Sequence, residues 1–479
     1  MYTVSMKRIH FFFLSILLFS GCGGEALKNP SATLRETGRT SKVHLQAMDQ
    51  MDLEVGYSDS SYQEQLERMI WVHGYTTEAR EAALNRLWSM DRNRALSVIR
   101  QNLPRLSFDY WSWICTLCEW IAKNEVLELD EALISSWARP TSMASFKERP
   151  EYIALAQLFG EDEVVSHIFD SLVSSNKTWK QNYRIRCWEL LLELAEKDIL
   201  ITLLNSELVQ EDDFFLLDLR KALNDFGIVP SGKEEILWIR ELAKSEYDSF
   251  WNDAVETLND LSNERKEAIE MRDIPIAVSL RRHGSAAQLS KTTSEILRGV
   301  ARQLDGAQHY YEHEGGGKFD SNSELFRTHR GGLDWGDAIA LETALKALSV
   351  PQVRSHLFDY ADRDFVDKST EYGGVIALDD EGRFEVLEFE PRIRHHDRKY
   401  NAPQELFDAA YTALFHFHYH AQKHRNGDHA GPGMGDKNYA TNTRANCLVL
   451  TYVNKNTLNV DYYRHTGVVV DLGIISRNK

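Results

Sequence analysis

Three short segments in the last third of the chain carry the residues best suited to chemistry. Glu371 begins the run Glu-Tyr-Gly-Gly-Val-Ile, histidines alternate with aromatic residues from Phe415 to His420, and Asp436 follows Gly-Met-Gly. Residues i and i+2 of a β-strand point to the same face, so two of these histidines can direct their rings at one point. Two imidazoles and one carboxylate can bind Zn²⁺ and leave a position open for water, whose pKa then falls to about 7. We therefore predict that two of these histidines and Asp436 bind zinc and that the carboxylate of the first segment acts as general base.

The elements that must position these residues form a mixed α/β region. The runs from Val375 to Leu378 and from Phe384 to Phe389 flank the turn sequence Asp-Asp-Glu-Gly, which predicts a β-hairpin. A helix is predicted before it, from about Trp335 to Leu348, and we expect the α/β domain to span residues 335–479. Further strands are predicted at Leu414–Tyr419, Leu448–Val453 and Leu458–Tyr463.

The order of these segments resembles the JAB/MPN domain with its JAMM metal motif, in which a glutamate strand is followed by His-x-His and then by Ser-x-x-Asp. Glu371-x-x-Gly374-x-Ile376 looks like the glutamate strand, and Asp436 looks like the aspartate that opens a helix. The resemblance implies a layered, cytidine-deaminase-like α/β fold with a mixed sheet. It also implies a zinc-dependent hydrolase of peptide or isopeptide bonds, with His416, His418 and Asp436 as ligands and Glu371 as general base.

The choice of histidine pair depends on this resemblance. His418 and His420 have the same spacing as His416 and His418, so the spacing alone does not separate the two pairs. Phe415 resembles the aromatic residue that precedes the first histidine of the family, which favours His416 and His418 and leaves His420 as the alternative ligand. In a third interpretation, all three histidines form a polar stripe on a half-exposed strand.

Gly433 departs from the pattern of the family, which has serine at this position. That hydroxyl stabilises the developing oxyanion, and loss of one such donor costs on the order of 10²–10³ in rate. The stretch between His418 and Asp436 is also longer than in the family, and its turn-forming residues predict a bulging loop. A second function therefore stays open, in which a JAMM-like domain with a degenerate site is a non-catalytic scaffold or interaction module.

A rival metal motif lies upstream. His309-Tyr310-Tyr311-Glu312-His313 reads as His-x-x-Glu-His, which on a helix places both histidines and the glutamate together. The run Gly315-Gly316-Gly317 would end that helix almost at once, and we therefore favour a solvent-exposed helix end over a zinc site here.

A charged segment follows the predicted hairpin. Arg392, Arg394, Arg398 and Lys399 surround His395-His396-Asp397. Charged loops are usually solvated, so we expect a solvent-exposed loop rather than a lip that contacts substrate.

The part of the chain before this domain is predicted to be all-α. From residue 59 to residue 305, apolar residues recur at helical spacing in segments separated by short breaks. Recurring antiparallel helix pairs resemble HEAT-type repeats, whose stacked pairs present one extended surface. We expect this surface to bind a protein or peptide partner or substrate. Residues 306–334 are predicted to be a Gly-rich connection.

The N-terminus predicts export. Lys7 and Arg8 precede an apolar run that is much shorter than the roughly 20 residues needed to span a bilayer, as in a signal peptide over residues 1–21. Leu18 to Cys22 resembles a bacterial lipobox, which implies acylation of Cys22 and attachment to the membrane only through lipid, at the cell envelope. Residues 22–58 are poor in large apolar residues and are predicted to be a flexible tether. The formal charge of -17 argues against nucleic acid as a partner.

Overall fold

A computed structural model describes residues 28–56, 58–283, 286–310, 324–392, 394 and 399–477. The predicted signal peptide and Cys22 lie outside these residues. The chain divides into two compact units, the first ending at Leu203 and the second running from Leu204 to Lys479. Among the described helices, none combines the length and the apolar character that crossing a bilayer requires.

The first unit is helical throughout its regular structure. Sequential helices pack against each other in pairs, for example α3 with α4 and α9 with α10. The helices of this unit are α1 (Pro30–Arg35), α2 (Ser41–Glu54), α3 (Ser60–Trp71), α4 (Thr77–Met90), α5 (Arg92–Asn102), α6 (Trp111–Lys123), α7 (Asp130–Trp137), α8 (Pro150–Phe159), α9 (Val164–Ser174), α10 (Gln181–Leu194) and, at its boundary, α11 (Lys197–Leu204).

Buried arginines close the ends of two of these helices. Arg80 in α4 donates to the carbonyls of Ile70 and Val72 at the end of α3, at 2.7 Å each. Arg184 in α10 donates to the carbonyl of Leu172 near the end of α9 at 3.0 Å. The last carbonyls of a helix have no partner within the helix, so a guanidinium at this position satisfies them. In two helix pairs of the first unit, a buried arginine of the second helix therefore donates to carbonyls at the C-terminal end of the first helix.

The tether predicted for residues 22–58 is corrected between residues 30 and 54. Residues 30–35 and 41–54 form α1 and α2, and Leu34, Ala47, Met48 and Met51 are buried. Ala47, Met48 and Met51 share one helical face, because they are spaced one and four residues apart. Leu34, Ala47 and the two methionines supply enough apolar surface to pack these helices, although the segment is poor in large apolar residues, which was the basis of the tether prediction.

The second unit combines helices with one sheet. Its helices are α12 (Phe214–Phe226), α13 (Lys233–Leu242), α14 (Asp248–Asn259), α15 (Asn263–Glu267), α16 (Ile274–His283), α17 (Ala286–Leu289), α18 (Thr293–Leu304), α19 (Phe326–His329), α20 (Trp335–Ser349), α21 (Pro351–Val366), α22 (Gln404–Ala409) and α23 (Met434–Thr443). Its strands are β1 (Gly373–Leu378), β2 (Phe384–Phe389), β3 (Phe415–His420), β4 (Cys447–Asn454), β5 (Thr457–Tyr463) and β6 (Val469–Ser476).

The described residues of the second unit form one mixed sheet of six strands. The strand order is β2-β1-β3-β4-β5-β6, and β3 and β4 are the parallel pair, whereas the other neighbours are antiparallel. A parallel pair needs a crossover connection, and α23 provides it between β3 and β4. The hairpin of β1 and β2 is the predicted one, and the helix predicted from Trp335 is α20.

The domain boundary predicted at residues 305 and 306 is wrong. Trp238 in α13 shares one core with Ile339 in α20 and with Phe417 in β3. The indole of Trp238 also donates to the carbonyl of Tyr411, just before β3, at 2.9 Å. The helices between residues 204 and 305 therefore belong to the same unit as the sheet. Helical periodicity shows which face of a helix is apolar, but it does not show which element covers that face.

The sheet is covered on both faces. Phe417 and Tyr419 of β3 point into the large core shared with the helices that precede the sheet. On the opposite face, Val375 packs with Leu406 of α22, and Val449 packs with Ala440 of α23. The histidines of β3 alternate with Phe417 and Tyr419, so they lie on the face that α22 and α23 cover.

Candidate metal centre

The parallel crossover brings the three histidines of β3 close to the beginning of α23. Because α23 connects the end of β3 to the start of the parallel strand β4, its first turn lies near the C-terminal end of β3. Gly433 is the N-cap of α23, and Asp436 lies in its first turn. The backbone N–H of Gly433 donates to Oδ2 of Asp436 at 2.8 Å, which fixes the carboxylate beside the strand.

Three side chains meet at this edge. His418 Nε2 lies 3.2 Å from Oδ1 of Asp436, and His420 Nε2 lies 3.6 Å from Oδ2 of the same carboxylate. One ligand atom from each of the three residues lies within 4.8 Å of the others. In the part of the chain that the structure describes, no other group of three such side chains is this compact.

Hydrogen bonding fixes the proton on His420. Its Nδ1 lies 2.7 Å from the backbone carbonyl of His429, and a carbonyl can only accept, so Nδ1 donates. In the neutral ring, Nε2 then presents a lone pair toward Asp436. The Nε2 atom of His418 is also buried and makes no hydrogen bond, although it lies near the same carboxylate. A positive charge between these atoms, either a proton on Nε2 of His420 or a metal ion, satisfies them, and two imidazole nitrogens with one carboxylate are a donor set that suits zinc.

The electrostatics of the site favour positive charge. Burial opposes protonation of His420, but the hydrogen bond that its ring donates to Asp436 and the charges of Asp436 and Glu371 outweigh burial and raise its pKa to about 9. Burial likewise disfavours the Asp436 carboxylate, but His418 and His420 more than offset this and hold its pKa well below the usual range. The residues present therefore fit a divalent cation.

Among the described residues, the side chains that come together with Asp436 are His418 and His420, and not the preferred pair of His416 and His418. Nδ1 of His416 hydrogen-bonds with the hydroxyl of Tyr439 at 2.7 Å and lies outside the three-residue cluster. Burial, and to a lesser extent Arg272, lowers the pKa of His416 to about 3. A strand advances about 3.3 Å per residue, so His416 lies roughly 7 Å farther from the strand end than His418. That distance takes it away from the first turn of α23.

Glu371 lies at the same edge, as predicted for the general base. It immediately precedes β1, and the antiparallel register that pairs Gly373 with His418 continues to bring Glu371 opposite His420. The carboxylate is 6% exposed and accepts a hydrogen bond from Nε2 of Gln422 at 2.8 Å. It lines the same cleft as His418 and Asp436.

Sequence analysis missed the residues that hold Glu371. Asn426 Nδ2 donates to Oε1 of Gln422 at 2.8 Å, so an amide chain connects the long loop to the carboxylate. Gln422 follows His420 by two residues, and this same-face spacing was the available signal. The predicted turn-rich loop before Asp436 therefore helps to hold the Glu371 carboxylate in place, in addition to connecting β3 to α23.

Gly433 stands where the JAMM motif has serine, and its surroundings leave room for a side chain. Its backbone is extended, with φ of -72° and ψ of 179°. A Cβ atom built there would have Oδ2 of Asp436 as its neighbour, at an ordinary contact distance of 3.6 Å. The packing around Gly433 therefore leaves space for the side chain of a serine.

The rival motif is placed differently from the prediction. Nδ1 of His309 lies 2.8 Å from Oδ2 of Asp471, which also accepts from the backbone N–H of Tyr310 at 3.1 Å. Residues 307–310 are not helical, so the helical spacing on which the motif depended is absent where the structure describes it. Glu312 and His313 lie outside the described residues, as do His395, His396 and Asp397.

No protein-family model, no curated protein and no solved structure matches this chain.

Proposed function

We propose that the second unit contains a zinc-dependent, JAMM-like hydrolase site that cleaves a peptide or isopeptide bond. The observation that carries the proposal is the convergence of His418, His420 and Asp436 beside the buried carboxylate of Glu371. The sequence of hairpin, histidine strand, aspartate helix and parallel strand is the order that the JAMM resemblance implies, which supports a JAMM-like fold.

In this proposal, different residues bind the metal ion, transfer the proton and position these groups. His418, His420 and Asp436 would hold the ion, with His420 oriented by the carbonyl of His429 and Asp436 by the N–H of Gly433. A bound zinc ion polarises a carbonyl group and lowers the pKa of water to about 7. Glu371 would accept the proton of the attacking water and pass it to the leaving amine, while Gln422 keeps the carboxylate in place.

The proposal extends to the rest of the chain. We propose that the first unit consists of HEAT-like repeats that bind a protein or peptide partner, supported by its paired helices and their shared arginine contacts. The lipobox-like sequence ending at Cys22 supports an exported lipoprotein held at the cell envelope by its lipid.

The decisive experiment compares the purified wild type with Glu371→Gln. We expect both proteins to retain zinc, because Glu371 is not a ligand, and only the wild type to hydrolyse amide bonds. Zinc content is measured by elemental analysis and hydrolysis by release of new amino termini from a peptide mixture. Equal hydrolysis by both proteins would remove Glu371 from its role, and absence of zinc from both would remove the metal site.

A non-catalytic role is the second candidate, and Gly433 is the observation that favours it. Without the serine hydroxyl, the site lacks one oxyanion donor that the family uses. Zinc binding with no hydrolysis by the wild type or by Gly433→Ser would identify the domain as a metal-holding interaction module.

A further inference from the structure

The candidate metal centre opens into a cleft of about 670 Å³. His416, on the histidine face of the sheet, and Tyr439 of α23 line it. Leu406 and Phe407 of α22 supply an apolar stretch of its lining. This volume suits a short extended segment of peptide, since ligand pockets are typically about 300–1,000 Å³.

Two cations without ion-pair partners line this cleft. Arg392 and Lys399 are both exposed and both contribute to its lining. Across the ranges that the structure describes, neither side chain has an acidic group within ion-pairing distance, whereas the neighbouring Arg394 pairs with Asp367. The carboxylates of Glu371 and Asp436 line the same cleft, so it offers two available cations together with two acidic groups. Arg392 and Lys399, which flank the segment predicted to be merely solvated, therefore border the site.

The opposite wall offers free amides. Asn438 and Asn442 lie four residues apart on α23, so they share one face of the helix, and both line the cleft. Their side chains are exposed and make no hydrogen bond to any residue whose placement is described. An amide offers both a donor and an acceptor, which matches the N–H and C=O groups of a peptide backbone.

We propose that this cleft binds a peptide that carries a carboxylate close to the bond to be cleaved. Arg392 and Lys399 contact the carboxylate, and Asn438 and Asn442 hydrogen-bond the peptide backbone. The position of the scissile bond, beside His418, His420 and Asp436, rests on the proposed hydrolase function. The preference for a peptide with a carboxylate does not rest on the hydrolase function.

The position of Lys399 indicates how far the carboxylate of the bound peptide lies from the scissile bond. Its carbonyl accepts from the backbone N–H of Glu371 at 3.4 Å, so the residue lies next to the proposed general base. The anion is therefore within one or two residues of the reacting amide. Glu371 and Asp436 line the same cleft and repel a polyanion, which favours a single carboxylate over a nucleic acid or a polyphosphate.

The test measures binding by calorimetry with the full chain carrying Glu371→Gln, so that turnover does not consume the probe. Three matched pentapeptides are compared: one with a free C-terminal carboxylate, one amidated with a glutamate side chain, and one amidated and neutral. We expect at least one carboxylate peptide to bind about tenfold or more tightly than the neutral peptide, the size of a charge-assisted contact. The stronger of the two identifies the source of the carboxylate.

Variants assign the preference to the cleft. Combined Arg392→Gln and Lys399→Gln should reduce the carboxylate preference to about onefold. Lys437→Gln removes the same charge from the exposed side of α23 outside the cleft and should keep the preference. Equal binding of all three peptides by the parent protein, or an unchanged preference in the double variant, would overturn the proposal. A preference that depends on Arg392 and Lys399 in a protein without zinc or hydrolysis would support it while the hydrolase proposal fails.

Discussion

Nε2 of His420 lies 3.6 Å from Oδ2 of Asp436, and the two residues favour a positive charge between them, either a proton on the imidazole, whose pKa is raised to about 9, or a metal ion in its place. The other ring nitrogen of His420 is committed to the carbonyl of His429. Two acceptors at this distance repel unless a positive charge lies between them. This relationship distinguishes His420 from His416, whose ring has a tyrosine hydroxyl as its partner.

Replacing His420 with alanine should abolish stoichiometric zinc binding. The substitution removes one of three ligands, and two remaining ligands hold zinc far more weakly. Elemental analysis after dialysis measures the bound metal. His416→Gln is the matched control from the same face of β3 and should retain zinc, as should His309→Ala. Loss of zinc in His416→Gln with full retention in His420→Ala would restore the originally preferred pair.

Introducing the serine of the family by Gly433→Ser should leave stability unchanged to within about 0.5 kcal/mol, because serine and glycine are both good N-caps. The extended backbone accepts a side chain, and the new Cβ meets Asp436 only at ordinary contact distance. If the hydroxyl supplies the missing oxyanion donor, kcat for the amide substrate should rise by about tenfold or more. Steady-state kinetics and thermal unfolding measure the two effects.

Gly431→Ser is the control for this substitution. Gly431 has φ of +95°, and a Cβ atom there would lie 3.0 Å from Oε1 of Glu324. Both the backbone strain and the contact should destabilise the protein by about 1–2 kcal/mol or more. A stable Gly431→Ser together with an unstable Gly433→Ser would show that the loop before α23 is placed differently.

Glu270 should make the stability of the second unit depend on acidic pH. Burial disfavours its carboxylate, but His465, Arg464 and Arg444 outweigh burial and lower its pKa to about 2, from an ordinary value of 4.5. A lowered folded-state pKa contributes stability that is complete above the unfolded value and is lost as pH falls through the folded value. The stability advantage of the wild type over Glu270→Gln should therefore shrink by roughly 2 kcal/mol between about pH 5 and about pH 3. Urea unfolding across this range measures it, and parallel pH profiles would contradict the assignment.

In the first unit, Glu151→Gln should lower the free energy of unfolding by about 3–5 kcal/mol. Glu151 is fully buried and receives two hydrogen bonds from Arg149, at 2.7 and 3.0 Å, and one from Ser136 at 2.7 Å. The neutral variant leaves the buried guanidinium without its counter-charge. Denaturant unfolding followed by tryptophan fluorescence provides the measurement.

Glu131→Gln is the exposed counterpart. Its pair with Lys180 spans 2.6 Å, but half of the Glu131 side chain is exposed. Screening by solvent limits such pairs, so the change should stay within about 1 kcal/mol. Equal effects of Glu131→Gln and Glu151→Gln would contradict the buried pairing.

Local pattern was sufficient to find the elements of the candidate site. The alternation from Phe415 to His420 predicted the strand and its shared histidine face, and Asp436 was predicted to open a helix, as it does in α23. The pattern could not choose between histidine pairs, because that choice depends on where the first turn of α23 meets β3. Such a contact between distant segments leaves no trace in residue spacing.

The fold was harder to predict from the sequence where contacts between distant elements determine it. Strand β6 was not predicted, although the apolar run at Val468 to Val470 was a signal for it. The boundary near residue 305 was wrong because α13 and α18 look like further helical repeats by periodicity alone. Their partners in the core, such as Ile339 and Tyr462, are far away in the sequence.

The indole contact between Trp238 and the chain just before β3 has a practical consequence for dissecting this protein. A fragment that starts after residue 305 would expose the large apolar face of the sheet to water and would aggregate instead of folding. A minimal fragment that keeps the candidate metal centre must therefore begin near residue 204, and proteolytic cleavage in the helices ahead of the sheet would disturb that site, although it lies more than a hundred residues later in the sequence.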